Sequence, residues 1–241
     1  MLLVANVGNT HVRLGAFEDG DEPVDTQAVA LDSLDALRVP DGPAEALVVG
    51  SVNPPAAARL FTWAGRSLRC RVLELRADLP VPLRFACDDA SHIGADRVAN
   101  AIALHHRTGR GGIAVDFGTA INLVVVSPDG VFLGGAIAPG LAMSARALHT
   151  STALLPHLDP SAAEPLLDCC TDTAIATGLL WGLAGLADRL VERFAEQRPD
   201  APVLATGGDA AALVPFCRHV HAIAPHLTLE GLRHAYLQRP Q

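Results

Sequence analysis

The sequence predicts an α/β fold, and three observations carry that prediction. Apolar runs of strand length alternate with longer runs at helical spacing along the whole chain. Half of the 241 residues are hydrophobic, mostly Ala, Leu and Val, which suits a packed core and excludes disorder. A strand–glycine turn–strand pattern at the start of the chain returns near its middle.

Met1–Phe17 reads as two strands broken by the polar turn Gly8-Asn9-Thr10, closing at Asp19-Gly20. Ala46–Val52 is a continuous apolar run, as in a central strand, ending at Asn53-Pro54-Pro55. Ala56–Leu68 has helical spacing, Arg71–Leu75 suits a strand, and Pro80–Ala90 reads as extended and loop-like. Gly94–His106 is an amphipathic helix with polar residues at its front. Strands follow at Ile113–Asp116 and Ile121–Val126, with a turn at Pro128-Asp129-Gly130. Leu133–Gly140 reads as a close-packed strand and turn, and helices are expected over Ala142–His149 and Thr173–Glu196. Val203–Ala205 is a short strand running into Thr206-Gly207-Gly208; helices at Ala210–Pro215 and Glu230–Gln238 complete the chain. Thr108–Gly112, "TGRGG", is the expected boundary between a subdomain at 1–109 and another at 110–241.

The repeat carries the chemistry. "VANVGNTHVRLGAFEDG" (Val4–Gly20) falls on "AVDFGTAINLVVVSPDG" (Ala114–Gly130) at a constant offset of 110, so that Asn6 meets Asp116, Gly8 meets Gly118 and Leu14 meets Val124. A duplication would give each half a glycine hairpin facing a shared cleft. Backbone N–H groups near Gly8 and Gly118, with the hydroxyls of Thr10 and Thr119, can donate to phosphate oxygens. A carboxylate at a strand end beside them would hold a hydrated metal ion. Two ordinary hairpins would give the same pattern. All 18 basic residues are arginine, so a phosphate loop of the G-x-x-x-x-G-K-[ST] type cannot be made, and no G-x-G-x-x-G is present.

The net charge of −8 and the lack of a basic cluster argue against nucleic acid or an anionic membrane as partner. Five irregularly spaced cysteines without a C-x-x-C indicate neither a zinc knuckle nor a disulfide framework, and fit a reducing cytoplasm. Cys169 and Cys170 are expected to be buried thiols. The start lacks a basic segment ahead of its apolar run, so no signal peptide is expected. Thr173–Ala187, the longest apolar stretch, is expected to be a buried helix too short for a membrane span. His105 and His106, at a helix end, are read as facing its carbonyls rather than a metal. His219 and His221 lack a visible third ligand.

Seven segments taken together resemble the type III pantothenate kinases: "VGNT" (7–10), "GSVNPP" (50–55), "GADRVANAIA" (94–103), "VDFGTA" (115–120), "LGGAIAPGL" (133–141), "ATGG" (205–208) and "LTLEGLRHAY" (227–236). Their order and spacing cover the chain nearly end to end. The resemblance implies a duplicated actin-like (ribonuclease H-like) fold, two subdomains around a nucleotide cleft. It implies phosphoryl transfer from ATP to the primary hydroxyl of pantothenate, the first step of coenzyme A synthesis. Asp96 matches the family's base. From the residues alone, it reads instead as an ordinary aspartate at a helix start, pairing with Arg97 or capping N–H groups. Gly94, Ala95 and Arg97 match positions along bound pantothenate, whose carboxylate suits a guanidinium, and Thr171 matches a substrate-side hydroxyl. Asn6, Gly8, Asn9, Thr10 and Arg13 match the first phosphate loop, Thr119 the second, and Gly207 and Gly208 the adenosine-side loop. Asp116 matches the ligand of a monovalent cation, potassium or ammonium, and Mg²⁺ is expected with the ATP. A homodimer that completes the active site is implied as well.

The chain departs from the family pattern at several polar positions. Asn6 stands where the family has aspartate, which keeps the shape of a Mg²⁺-side group and loses its charge. The family's substrate-side tyrosine is missing: Cys87 occupies its place by counting, and Phe85 is the nearest aromatic. Ile121 replaces a usual threonine. Two readings follow, an active pantothenate kinase that tolerates Asn6, or a non-catalytic relative that binds nucleotide or a regulatory partner.

Overall fold

The computed structural model describes residues 1–160, 167–196, 198–220 and 222–239. It divides into two compact units, Met1–Gly109 with Asp129–Phe132 and the segment from His226 onward, and Arg110–Pro128 with Leu133–Pro225.

In the first unit, β1 (Leu2–Val7) and β2 (His11–Phe17) form the expected hairpin, with Gly8 N–H donating to His11 O at 3.0 Å across the turn. β3 (Asp25–Ala30) pairs antiparallel to β2, while β4 (Ala46–Ser51) and β5 (Arg71–Glu74) extend the sheet in parallel beyond β1. The order is therefore β3-β2-β1-β4-β5. β3 escaped the sequence reading because "DTQAVA" is a polar, half-exposed edge strand with little apolar alternation. A 3-10 segment, Leu31–Ala36, follows it. Helix α1 (Pro54–Ser67) connects β4 to β5, started by Asn53, whose side chain accepts from Ala56 N–H at 3.1 Å, and by proline in its first turn. Inward positions of β1, β2 and β4 (Leu3, Ala5, Val7, Val12, Leu14, Leu47 and Val49) pack on Leu60 and Trp63 of α1. A two-residue strand, β6 (Arg84–Phe85), lies in the stretch read as loop.

Helix α2 (Ala95–Thr108) ends at Gly109, which is left-handed at φ 64°. Gly130, also left-handed at φ 75°, lies on His105: a Cβ there would come within 3.2 Å of the imidazole Nε2.

In the second unit, β7 (Gly112–Phe117) and β8 (Ala120–Val126) make the second hairpin. β9 (Val131–Pro139) and β10 (Val203–Thr206) flank it, and β11 (Ala222–Ile223) lies beyond β10. Taken from β9, the order is third, second, first, fourth, fifth in chain sequence, as in the first unit. The hairpin is antiparallel in both units, and the fourth strand parallel to the first. The first two residues of β9, Val131 and Phe132, belong to the first unit and pair with β6.

The duplication is thus topological, with one adjustment. β1 and β7 match at the offset of 110, but β2 and β8 start at 11 and 120 because the first turn is one residue longer. Leu14, opposite Ala5, therefore corresponds in register to Leu123, opposite Val115, and not to Val124.

Helices α3 (Leu141–Ser151), α4 (Thr171–Ala195) and the short α5 (Ala210–Leu213) complete the second unit. α4 is longer than its apolar stretch suggested. With 25 residues and a hydropathy of 1.3 it is long and apolar enough to cross a membrane, which corrects the sequence expectation on length. Its Leu180, Leu183, Ala187 and Val191 are buried against Ile113, Val115, Leu123 and Val203 of the sheet, as a core helix would be.

The last helix, α6 (Leu227–Leu237), follows the second unit in sequence yet packs within the first, against α2 and the β1–β4 face. Glycine permits this approach: a Cβ on Gly231 would sit 1.8 Å from the carbonyl oxygen of Ala99, and one on Gly50 2.7 Å from Leu232 Cδ2. Gly231→Ala must push α6 off the α2 backbone, so we expect a loss of about 2–3 kcal/mol, read as a lower urea midpoint at unchanged slope.

Candidate active site

In the first unit the matched residues gather at the carboxyl ends of two parallel central strands, where backbone pairing stops and polar groups become free for a ligand. Asn6 is the penultimate residue of β1, opposite Arg13 on β2 and beside Gly50 on β4. Because directly opposed residues share a sheet face, Asn6 and Arg13 project to one side. Val52 N–H donates to Val7 O at 3.0 Å and extends the ladder one step past β4. The turn that follows leaves Asn9 and Thr10 exposed and Gly8 half-buried, with His11 Nδ1 3.0 Å from the Thr10 hydroxyl. The Asn6 side-chain oxygen is buried without a hydrogen-bond partner among the described residues. Such an atom is costly unless a bound group donates to it.

The start of α2 adjoins the end of β4. Gly94 caps the helix without a side chain, and a Cβ there would lie 3.0 Å from Val52 Cγ1 and 2.5 Å from Asp96 Oδ1. Ala95, Asp96 and Arg97 follow in the first turn, all half-buried. Asp96 Oδ1 accepts from Arg97 N–H at 2.7 Å, so the capping role is met, yet the carboxylate remains strongly desolvated. That burial pushes its carboxyl above the ordinary carboxylate range, against the lowering pull of the Arg97 N–H and the Arg97 charge. A carboxylate held this way takes up a proton readily.

The Arg97 guanidinium lies over the Phe132 ring, 5.7 Å from its centroid, with its Nε buried and unpartnered. Phe132 packs on Phe85 at 5.6 Å. Phe132 is thus the aromatic under Arg97, with Phe85 packed behind it; Cys87 is exposed and its thiol turns back to Asp89 O at 3.4 Å. Arg76 completes the group and was missed by sequence reasoning. Its φ of 75° is the one left-handed non-glycine value among the described residues. Its guanidinium donates to Ala90 O at 2.7 Å and Ser91 O at 3.0 Å and lies 5.7 Å from the Phe85 centroid. It thereby ties down the loop that enters α2. No motif marks it; an arginine in a loop carries no signal until the fold brings its partners to it.

In the second unit, Asp116 is penultimate in β7, as Asn6 is in β1, with Asn122 opposite and Thr206 of β10 beside it. Gly207, at φ 97°, sits directly behind: a Cβ would come 2.5 Å from Asp116 Oδ1 and 2.4 Å from the Phe117 carbonyl carbon. Gly118 N–H donates to Ala120 O at 3.3 Å, and Gly140 N–H to Thr119 O at 3.2 Å, so Thr119 heads a turn pinned from two sides. Gly208 is exposed. Thr171 is the exposed first residue of α4, and the cysteines before it, Cys169 and Cys170, are exposed rather than buried as expected, because they precede the helix's buried stripe. His219 contacts Glu192 at 3.0 Å, while position 221 lies outside the described residues.

The profile of the type III pantothenate kinase family matches residues 2–193. A type III pantothenate kinase from Syntrophus aciditrophicus (strain SB) is 33% identical over 251 residues, covering 98% of each chain. Among solved structures, a Baf family transcriptional activator from Campylobacter jejuni aligns with TM-score 0.65 at 18% identity, covering 98% of each chain. A ROK family glucokinase from Streptomyces griseus, in complex with glucose and AMPPNP, aligns at 0.56 and 14%, again over 98% of each. The structural likenesses establish the fold, that of the actin-like ATPases and sugar kinases.

The raised Asp96 carboxyl makes a stability prediction. A group protonated more readily folded than unfolded favours the fold at low pH, and that contribution is lost as pH rises through the folded value. At neutral pH the buried charge is a burden. Asp96→Asn should therefore melt at or above the wild-type temperature at pH 7, with the difference shrinking as pH is lowered through the carboxylate range.

Proposed function

The chain belongs to the type III pantothenate kinase family, and we infer that it transfers the γ-phosphoryl group of ATP to the primary hydroxyl of pantothenate. The products are ADP and 4′-phosphopantothenate, and the reaction opens coenzyme A synthesis. What carries the reading is the family match, supported by a desolvated carboxylate, Asp96, in the segment that resembles the one carrying the family's base.

In this mechanism the pantothenate hydroxyl gives its proton to Asp96 as its oxygen bonds to the γ-phosphorus, and the bond to the β,γ-bridging oxygen breaks. A general base is most effective when its pKa lies near the working pH, and desolvation raises the Asp96 carboxyl in that direction. Arg97 faces the pantothenate carboxylate, with Gly94 and Ala95 leaving room for the substrate and Phe85 and Phe132 backing the guanidinium. Thr171 contributes a further substrate-side hydroxyl. Backbone N–H groups at Gly8, Asn9 and Thr10, the Arg13 side chain, and Thr119 supply donors to the phosphates, and Gly207 and Gly208 take the adenosine side.

A divalent ion bound with ATP supplies charge neutralisation to the phosphates. The unpartnered Asn6 oxygen suits that role as a neutral acceptor for water held by Mg²⁺. Asp116 is proposed to hold the monovalent cation, potassium or ammonium. Its carboxylate lies in a recess that a Cβ on Gly207 would fill. The homodimer is supported by Leu133, Ile137 and Trp181, large apolar side chains exposed on β9 and α4. A cytoplasmic setting agrees with five free thiols.

Purified protein with ATP, Mg²⁺, potassium and pantothenate should form 4′-phosphopantothenate. Asp96→Asn should lower kcat by roughly 10²- to 10⁴-fold while leaving the ATP-induced rise in melting temperature intact. Asn6→Asp restores a charge on the metal side, so it should lower the Mg²⁺ concentration giving half-maximal rate. Absence of product from the wild type, with activity appearing only in Asn6→Asp, would overturn the kinase reading in favour of nucleotide binding alone.

A further inference from the structure

Away from these residues, at the opposite end of α2, the first unit brings two imidazoles and a carboxylate together. His106 lies in the last turn of α2, His234 in the last turn of α6, and Asp21 in the turn after β2. One ligand atom from each lies within 4.8 Å of the others. The two rings face one another with centroids 3.6 Å apart and an interplanar angle of 34°. His106 thus points across to a second helix, and not at the carbonyls of its own as the sequence suggested.

We propose that Asp21, His106 and His234 bind a borderline divalent metal ion of the zinc class, which fastens α6 and the 19–21 turn to α2. The donor set is two imidazole nitrogens and one carboxylate oxygen, the combination that three-ligand zinc sites use with water in the fourth position. Zinc would require the ligand atoms to lie about 3.4 Å apart. His106 is exposed, and its ring can turn out of the stack to bring an in-plane lone pair to the ion, while buried His234 and Asp21, held by Arg233, provide the fixed points.

Groups around the three residues support the assignment. Arg233, itself buried, donates to Asp21 Oδ1 at 2.6 Å and to Asp19 O at 3.2 Å, so the turn carrying Asp21 is already held against α6. Arg107 joins Glu22 at 2.9 Å and Glu230 at 2.8 Å, which anchors the next residue of that turn to α2 and α6. The local balance is three carboxylates (Asp21, Glu22 and Glu230) against two guanidiniums (Arg107 and Arg233), and the remaining negative charge favours a cation. Ligands oriented by such outer partners bind more tightly than free ones.

The test is calorimetric titration of chelator-treated, nucleotide-free protein with Zn²⁺, in excess Mg²⁺ to occupy sites that prefer a hard ion. One equivalent should bind, with a rise in melting temperature. His106→Ala and Asp21→Asn, both at exposed positions, should each weaken binding about ten-fold or more and abolish the thermal shift. The double variant Cys169→Ser/Cys170→Ser should bind as the wild type does, since exposed thiols are the alternative zinc ligands. Failure of the wild type to bind, equal binding by both His106→Ala and Asp21→Asn, or loss of binding in the cysteine variant would each overturn the proposal.

Discussion

The contact between α2 and α6 is the constraint on which the first unit depends. At Gly231 the two helices meet backbone to backbone, with no room for even a methyl group. The far side of α6 covers the β1–β4 face, where Gly50 admits Leu232. α2 is consequently clamped along its flank, and that rigidity lets its first turn carry a charged side chain out of water. On a loosely held helix, Asp96 would swing to solvent and its carboxyl would return to ordinary acidity.

Asp96 and Asn6 show two ways in which the first unit buries a polar group. Asp96 keeps its carboxylate, whose desolvation raises its proton affinity although the Arg97 N–H and charge oppose it. Asn6 buries an uncharged amide oxygen that has no hydrogen-bond partner among the described residues. Phe132 plays a comparable part for Arg97, offering its ring face to a guanidinium whose Nε has no acceptor among the described residues.

The two units use one strand plan for different chemistry. Both place a polar side chain at the penultimate position of the first strand and follow it with a glycine turn. In one the side chain is an amide with an unpartnered oxygen; in the other it is a carboxylate backed by a left-handed glycine. The shared plan follows from sheet geometry, since the strand end is where backbone groups become available. The difference lies in the side chains alone.

The sequence by itself determined what depends on local pattern. The central strands, the amphipathic α2, the two glycine turns and the position of Asp96 in a first helical turn were legible, because period, capping and turn chemistry act over a few residues. It missed β3, β6 and β11, which are polar, short or at an edge and are held by neighbours distant in the chain. Only the tertiary structure decided that α6 packs on α2, that Arg76 ties the loop before Gly94, and that Phe132 lies under Arg97 with Phe85 behind it. It alone brought His106 to His234 and Asp21. Those outcomes depend on which surfaces meet, and desolvation, orphaned polar atoms and ring contacts exist only once residues far apart in sequence share the same space.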